Sequence, residues 1–381
     1  MPYRFRLIIF ILTVATVLWA ELMLFPSALL IPILTMPGVA VIVLHLLGLR
    51  TTVKTAPISQ HEKPAPPQTM EEAQKQFDEL TNGTCSPQKS ALEFMVKGDP
   101  LYMNRYFPII NILSEAEIRN FHNLILSIAD YPNFDLQLIG ANRQNISDLM
   151  PSPVRFLVAG HIAEIFFFRQ DLLNRFFITP RRFQIYTTPE AFQQDGGIMG
   201  GCYNPSRESI QLVMARLFEG FNAATPGVCP FLHEFGHMLD HFDAGKGKMG
   251  RSVGLYPGLR TSDGDVYHPH AKELFLKGKR IELNRYMARH SGDSSQPMPI
   301  GHPYVFQNDG EFLAGYLEMF FRNPHYFADQ NPDLFEAYTE LFGYDTRHAW
   351  MKDFPHYINA NRSFYESGQT PPKSGLKIPH M

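Results

Sequence analysis

Cysteine is scarce in this sequence and a basic excess is absent, which argues against a disulfide-rich protein and a nucleic-acid-binding protein. Only three cysteines occur in 381 residues, and their odd number and uneven spacing give neither a disulfide framework nor a metal-binding pair: Cys85, Cys202 and Cys229. We therefore expect reduced, partly buried thiols. The formal net charge is −3, so no basic excess indicates a nucleic-acid partner. With 45% hydrophobic and 19% charged residues, the chain can bury a full-sized core.

Charged residues are almost absent from the first fifty positions, which indicates a membrane segment. Between Leu7 and Leu49 the ionisable exceptions are Glu21 and His45. A single helix of that length would measure about 65 Å, twice what a bilayer needs. Three prolines interrupt the run: Pro26, Pro32 and Pro37. We predict a transmembrane helical hairpin within residues 1–50, with these two spans: Leu7–Phe25 and Leu29–Leu49.

The cations that flank this hairpin predict its orientation. Arg4 and Arg6 precede the first span, and Arg50 and Lys54 follow the second, so both ends are expected in the cytoplasm. We therefore expect an anchor in a membrane, taken as the bacterial inner membrane, with the rest of the chain cytoplasmic. A cleaved signal peptide is the alternative, but a small-x-small cleavage site is lacking and a second apolar run follows. If only one span crosses, the remainder would face the other side.

Proline marks the boundaries of the remaining chain. Four prolines predict that residues 51–69 are a linker without regular structure. Three more predict a flexible tail over residues 363–381. Between them, residues 70–362 are predicted to form one domain. A capping-box pattern at Ser114 predicts the start of a helix, another helix is expected at about 271–288, and β-favouring residues predict strands near 181–187 and 209–213. The predicted class is α+β, mostly helical with a small sheet.

The functional prediction depends on the run His-Glu-Phe-Gly-His from His233 to His237. On a helix its two histidines share one face, where two imidazoles can bind one zinc ion. Glu234 is not a ligand in this pattern, but it can accept a proton from zinc-bound water, as in a zinc hydrolase. The alternative is an ordinary amphipathic helix kept for packing. Gly236 counts against it, because glycine in mid-helix costs about 1 kcal/mol relative to alanine.

A third ligand decides the class of zinc enzyme. Asp243 is a weak candidate, because Asp240 stands where a glycine would provide the turn toward the metal. His241 lies eight residues past the first histidine, about 12 Å along a helix, which is too far for a shared ion. Glu311 and Glu318 are better candidates, since they lie seven residues apart on one face of an otherwise apolar helix. Acidic groups there seldom lack partners, which a metal and its surroundings would supply.

The run HEFGHMLD, followed downstream by Y-x6-E-F-x-A-x3-E-x-F-F, resembles the Mlc titration factor A family of zinc metallopeptidases. More distantly, HEFGH and the tyrosine seven residues before the glutamate resemble the catalytic domain of anthrax lethal factor. The resemblance implies that the zinc ligands are His233, His237 and Glu311. It also implies that Glu234 is the general base and that the phenol of Tyr304 stabilises the oxyanion.

This resemblance covers roughly residues 110–345 and implies a zincin-like domain of the gluzincin type. In zincins a strand beside the metal helix offers its free edge to an extended substrate. By resemblance, Ile210–Val213 or its neighbour could do so here. Two features depart from the family: the segment 244–303 is longer than usual, and the apolar N-terminus is not part of the family core.

Two further carboxylates are predicted to support the metal site. Asp240, one turn past His237, is predicted to orient a ligand histidine, with a helix-end cap or a salt bridge as the alternative. Glu318 is predicted to support the site rather than to be a surface carboxylate. Four histidines of the 244–303 insertion could contact substrate or metal, but exposed loop positions are the simpler interpretation: His268, His270, His290 and His302.

The sequence thus predicts a membrane-anchored, zinc-dependent peptidase that acts on a peptide or protein substrate. The alternative, implied by the resemblance, is a regulatory protein that sequesters a partner such as a transcriptional repressor, with peptidase activity secondary. A purely structural zinc is disfavoured, because three ligands leave an open position and structural sites are normally closed by four.

Overall fold

The computed structural model of this chain describes residues 107–150, 152–198, 200–219, 229–244, 246–259, 269–350 and 352–377. The predicted transmembrane hairpin at 1–50 and the predicted linker at 51–69 lie outside these residues. Among the described residues, no helix combines the length and the apolar character needed to cross a bilayer.

Helices dominate the described part of the chain. In chain order the α-helices are α1 Glu115–Ala129, α2 Ser152–Phe166, α3 Gln170–Phe176, α4 Pro189–Gln194, α5 Met214–Glu219, α6 Pro230–His241, α7 Pro269–His290, α8 Asp309–Arg322, α9 Pro324–Gln330, α10 Pro332–Phe342 and α11 Pro355–Glu366. The strands are β1 Phe134–Ile139, β2 Arg181–Tyr186, β3 Gly201–Asn204, β4 Ser209–Val213, β5 Phe242–Asp243 and β6 Lys248–Met249. The predicted α+β class is therefore confirmed.

Four of these strands form one sheet in the order β1-β2-β4-β3. The first three are parallel, with Leu136 opposite Phe183 and Phe183 opposite Ile210. Parallel neighbours need crossover connections, which α2 and α3 supply between β1 and β2. The short strand β3 runs antiparallel to β4 and stands at the end of the sheet. The two strands predicted from the sequence correspond to β2 and β4.

Gly236 lies where α6 packs against α8. A Cβ atom at this position would lie 2.6 Å from Ala314 Cα, which is closer than real side chains approach. The missing side chain therefore lets the two helix backbones meet. This corrects the sequence argument, which treated the glycine as evidence against a packing role. Packing is its role, and the contact brings the helix of Glu311 against the helix of the two histidines.

The structure confirms the helices predicted after Ser114 and at about 271–288. The capping box predicted at Ser114 is present, since Ser114 Oγ accepts from Glu117 N–H and the Glu117 carboxylate accepts from Ser114 N–H at 2.8 Å. The helix predicted at about 271–288 lies within α7. Its apolar side chains join the same core as the sheet and α8.

The C-terminal residues depart from the predicted flexible tail at 363–381. Helix α11 continues to Glu366, and the residues after it run against the domain. Tyr286 Oη donates to Pro372 O at 2.7 Å, and His290 Nδ1 lies 2.7 Å from Pro371 O. Proline prevents a helix here, but its carbonyl oxygen still accepts hydrogen bonds, so side chains of α7 hold the segment in place.

Gly236→Ala should destabilise the protein although alanine favours helices. The propensity gain is about 1 kcal/mol, whereas forcing a methyl group into a packed contact typically costs about 1–3 kcal/mol. Because the closest atom is backbone, we expect the cost to win and the free energy of unfolding to fall by roughly 1 kcal/mol or more. Urea-induced unfolding measures this change.

Gly250→Ala is the matched control for this variant. A Cβ atom at Gly250 would lie 3.7 Å from His241 O and 3.9 Å from Asp243 Cβ, which is ordinary contact. Its stability should change by no more than about 0.5 kcal/mol. Equal stability of the two variants would contradict a close backbone contact between α6 and α8.

Candidate active site

Helix α6 presents His233 and His237 on one face while its apolar side chains are buried. The helix begins at Pro230, whose fixed φ suits the first helical position. Its apolar residues point into the core: Phe231, Leu232, Phe235, Met238 and Leu239. The two imidazole rings stand 5.1 Å apart between centroids and remain partly exposed. The four-residue spacing therefore gives the shared face that the sequence predicted.

Glu311 reaches the two histidines from the first turn of α8. Asn308 caps this helix, since its Oδ1 accepts from Glu311 N–H at 3.0 Å. Glu311 Oε2 lies 3.2 Å from His233 Nε2 and 3.4 Å from His237 Nε2. One ligand atom from each of the three residues lies within 4.8 Å of the others. A single metal ion could therefore bind all three.

Charge and burial act against each other at these groups. Burial lowers the pKa of His233, but its hydrogen bond to Glu311 and the nearby carboxylate of Glu318 outweigh the effect of burial and raise that pKa to about 10. Burial likewise raises the pKa of the Glu311 carboxyl, but the hydrogen bonds from His233 and His237 hold it well below its usual range. In the metal-free protein His233 therefore carries a proton at neutral pH, facing an ionised Glu311.

Glu234 faces the sheet edge in the same cleft. Its Oε2 accepts from Tyr203 N–H on β3 at 2.7 Å. Burial raises the pKa of Glu234, and the two neighbouring imidazoles oppose this rise. The carboxyl is thus held by the backbone of β3 and its pKa is moved toward neutrality, as suits a general base.

Tyr304 lies on a 3-10 helix, Pro303–Phe306, across the cleft from α6. His302 caps this turn, because its Nδ1 accepts from Tyr304 N–H at 3.2 Å. Burial lowers the pKa of His302, which keeps the imidazole neutral and able to accept. The Tyr304 ring lies 6.3 Å from the His233 ring between centroids. Burial and then the charge of Glu311 raise the pKa of Tyr304, so its hydroxyl stays a donor.

The two supporting carboxylates lie at opposite ends of α6. Glu318 Oε1 accepts from Cys229 N–H at 2.5 Å, and its Oε2 lies 3.7 Å from His233 Nδ1. Asp240 accepts from Gly254 N–H at 2.9 Å and from the Ser252 hydroxyl. Glu318 thus faces a candidate ligand directly. Asp240 holds the loop after α6, and its predicted role in orienting a histidine stays a prediction.

The other candidates considered from the sequence make different contacts. His241 lines the cleft with Nδ1 3.1 Å from Gly250 O, and Asp243 pairs with Lys246 at 3.2 Å. His270 pairs with Glu340. Of the insertion histidines, His268 lies outside the described residues.

These groups surround an open cleft of about 360 Å³. Its walls are formed by Gly201, Cys202, Tyr203, Pro205, His233, Glu234, His237, Asp240, His241, Ser252, Tyr304, Asn308, Gly310 and Glu311. The sequence reasoning missed the β3 residues and Asn308. Asn308 carried a usable signal, since an asparagine three residues before a glutamate is a common helix start. The four-residue strand β3 has no comparable signal.

Two histidines on one helix, a glutamate from a second helix and another carboxylate in the same cleft form the arrangement of a metallopeptidase. Residues 173–343 match the model of the family described as glucose-regulated metallo-peptidase M90. The predicted resemblance to the Mlc titration factor A family of metallopeptidases is therefore confirmed over this part of the chain. A search of curated proteins finds no match to the chain.

Metal binding should release protons from the metal-free protein. His233 has a pKa of about 10, so it carries a proton that zinc must displace. At pH 8 an imidazole of ordinary pKa would already be neutral and release almost none. We expect roughly one proton per zinc from His233 at this pH, and weaker binding as the pH falls. Calorimetric titrations in buffers of different ionisation enthalpy count the protons.

Glu318→Gln provides the comparison, because it removes one of the contacts that raise the pKa of His233. The pKa of His233 should be lower in the variant, so proton release per zinc should begin to fall at a lower pH than in the wild type. An identical pH dependence of proton release in the two proteins would contradict the contribution of Glu318 to the pKa of His233.

Proposed function

We propose that this chain is a zinc-dependent peptidase in which His233, His237 and Glu311 hold the metal and Glu234 is the general base. The observation that carries the proposal is the convergence of the three candidate ligand atoms within 4.8 Å, beside Glu234 in one cleft. Two imidazoles and one carboxylate are a donor set typical of catalytic zinc, with one position left open. The family match supports peptide hydrolysis as the reaction.

Zinc held by these three residues would polarise the substrate carbonyl and lower the pKa of a water molecule at the open position. Glu234 accepts the proton of the attacking water and delivers it to the leaving amine. Its raised pKa makes both transfers possible near neutral pH. The hydrogen bond from Tyr203 N–H restrains the carboxylate between the two transfers.

Tyr304 donates a hydrogen bond to the oxyanion that develops on the substrate. Its hydroxyl stays protonated because burial and the charge of Glu311 raise its pKa. The ring faces the cleft beside His233. A donor placed there strengthens its hydrogen bond as negative charge grows, which favours the transition state over the bound substrate.

Glu318 positions the first ligand histidine. One carboxylate oxygen binds Cys229 N–H at the start of α6 and the other faces His233 Nδ1. A carboxylate in this place also interacts favourably with the positive end of the helix dipole. It therefore fixes the helix start and the ring orientation together, as partners of metal-bound histidines commonly do.

The backbone of β3 is the edge along which an extended substrate binds. The sequence left open whether Ile210–Val213 or its neighbour serves this purpose. Strand β4, which contains those residues, pairs with β2 on one side and with β3 on the other. Within the described residues β3 pairs with β4 alone, and Gly201, Cys202 and Tyr203 line the cleft. β3 is thus the neighbour suited to strand addition.

Glu234→Gln should abolish hydrolysis while leaving zinc in place. Removing the proton acceptor should lower kcat by about 100- to 10,000-fold, measured on a panel of peptides and aminoacyl anilides, with zinc content measured by mass spectrometry. Glu190→Gln, an exposed position on α4, is the matched control and should retain activity. If neither the wild type nor Glu234→Gln cleaves anything while both bind zinc, the sequestering alternative gains the advantage.

Membrane anchoring is a separate part of the proposal and rests on the sequence of residues 1–50. The full chain should sediment with membranes and resist extraction at high pH, whereas a chain starting at Met70 should be released. With both ends cytoplasmic, protease added outside intact cells should leave the domain uncut. A full chain found in the soluble fraction would contradict the hairpin, and external cleavage would contradict its orientation.

A further inference from the structure

Residues 371–377, named here the C-terminal strap, contact the turn that carries Tyr304. Phe306 ends this 3-10 turn, and its carbonyl oxygen accepts from both Ser374 Oγ and Gly375 N–H at 3.0 Å. At its other end the strap is tied to α7 through the carbonyls of Pro371 and Pro372. The strap lies beyond residues 173–343, which match the family model.

The strap also contacts the start of the helix that carries Glu311. Lys377 N–H donates to Asp309 Oδ1 at 3.0 Å, and Asp309 is the first residue of α8. Lys279 Nζ bridges the two segments, donating to Asp309 Oδ1 at 2.8 Å and to Lys377 O at 3.0 Å. The Lys279 side chain is 2% exposed, so this ion pair is sheltered from water and strongly constrained.

Tyr304 depends on such restraints because packing holds its side chain only in part. The residue is 41% exposed, in contrast to the buried core around it. Its hydroxyl also interacts with the Glu311 side chain. The position of the phenol therefore depends on the backbone of the turn and on the start of α8, and the strap contacts both. His302 restrains the beginning of this turn, and the strap restrains its end.

We propose that the C-terminal strap positions Tyr304 for catalysis and holds the start of α8. This inference rests on the peptidase function proposed above. Among the described hydrogen bonds, the strap makes none to the candidate metal ligands or the general base; it acts through the backbone of Phe306 and the side chain of Asp309. A misplacement of the phenol by about 1 Å would be enough to slow the reaction markedly.

Gly375 offers a way to displace the strap with a single methyl group. A Cβ atom there would lie 2.1 Å from Gln307 O, and backbone cannot move aside as a flexible side chain can. Gly375→Ala should therefore lift the strap from the turn. Lys373→Ala, at an exposed position of the same segment, is the matched control.

The first test measures kcat and KM of the full chain. Gly375→Ala should lower kcat roughly 10- to 100-fold with little change in KM, whereas Lys373→Ala should match the wild type. Tyr304→Phe should lower kcat by about 100-fold. The double variant Tyr304→Phe/Gly375→Ala should be no slower than Tyr304→Phe, because both changes act on one phenol. Additive losses, or full activity of Gly375→Ala, would overturn the proposal.

The second test does not depend on activity. Amide hydrogen exchange over residues 303–309 should be faster in Gly375→Ala than in Lys373→Ala, while exchange in β2 and the zinc content stay unchanged. Unchanged exchange over 303–309 would overturn the strap as a restraint. If exchange rises but the wild type hydrolyses no peptide, the proposed function fails and the strap remains a restraint on this turn.

Discussion

The close contact between α6 and α8 is the constraint on which the site depends. Two histidines on one helix cannot complete a metal site, and the third candidate ligand lies 78 residues away from His233 in the chain. Gly236 allows the backbones to meet at Ala314, which places Glu311 opposite both imidazoles. Any side chain at this point would separate the helices and move the glutamate away. Gly236 is therefore required both for the packing of α6 against α8 and for the position of Glu311.

Charge pairing then stabilises a site that is otherwise unfavourable. Glu234 and Glu311 line the partly buried cleft together with the two imidazoles, and Glu318 lies near the Nδ1 atom of His233. Unpaired charges would be costly in these surroundings. In the metal-free protein the proton on His233 offsets part of the negative charge. A divalent cation held by His233, His237 and Glu311 would supply a larger positive charge in place of that proton. The acidic surroundings would thus favour metal binding.

The sequence predicted those parts of the fold and site that local spacing determines. The capping box of α1, the strands β2 and β4 and the long helix α7 follow from patterns within a few residues. The convergence of His233, His237 and Glu311 was predicted from helical spacing combined with the family resemblance. These local signals were sufficient to predict the α+β class.

What the sequence did not predict depends on distant partners. The packing role of Gly236 depends on Ala314, which lies opposite it in the fold but far away in the sequence. From the sequence alone, this glycine was therefore interpreted as a sign of function and not as a requirement of helix packing. Strand β3 has four residues and is defined by its pairing with β4. The C-terminal prolines predicted a flexible tail, but the carbonyls of Pro371 and Pro372 accept hydrogen bonds from α7, which composition alone does not reveal.

The site is built from two segments that are fixed in different ways. Helix α6 is embedded in the core along its apolar face and is held at its start by Glu318. The segment 302–311 is more exposed and relies on hydrogen bonds at its ends, from His302, Asn308 and the strap. In the proposed mechanism, metal binding would depend on both segments, whereas stabilisation of the oxyanion by Tyr304 would depend on the second segment alone. A change that loosens the second segment should therefore impair transition-state stabilisation before it impairs metal binding, because two of the three candidate ligands remain fixed by the core.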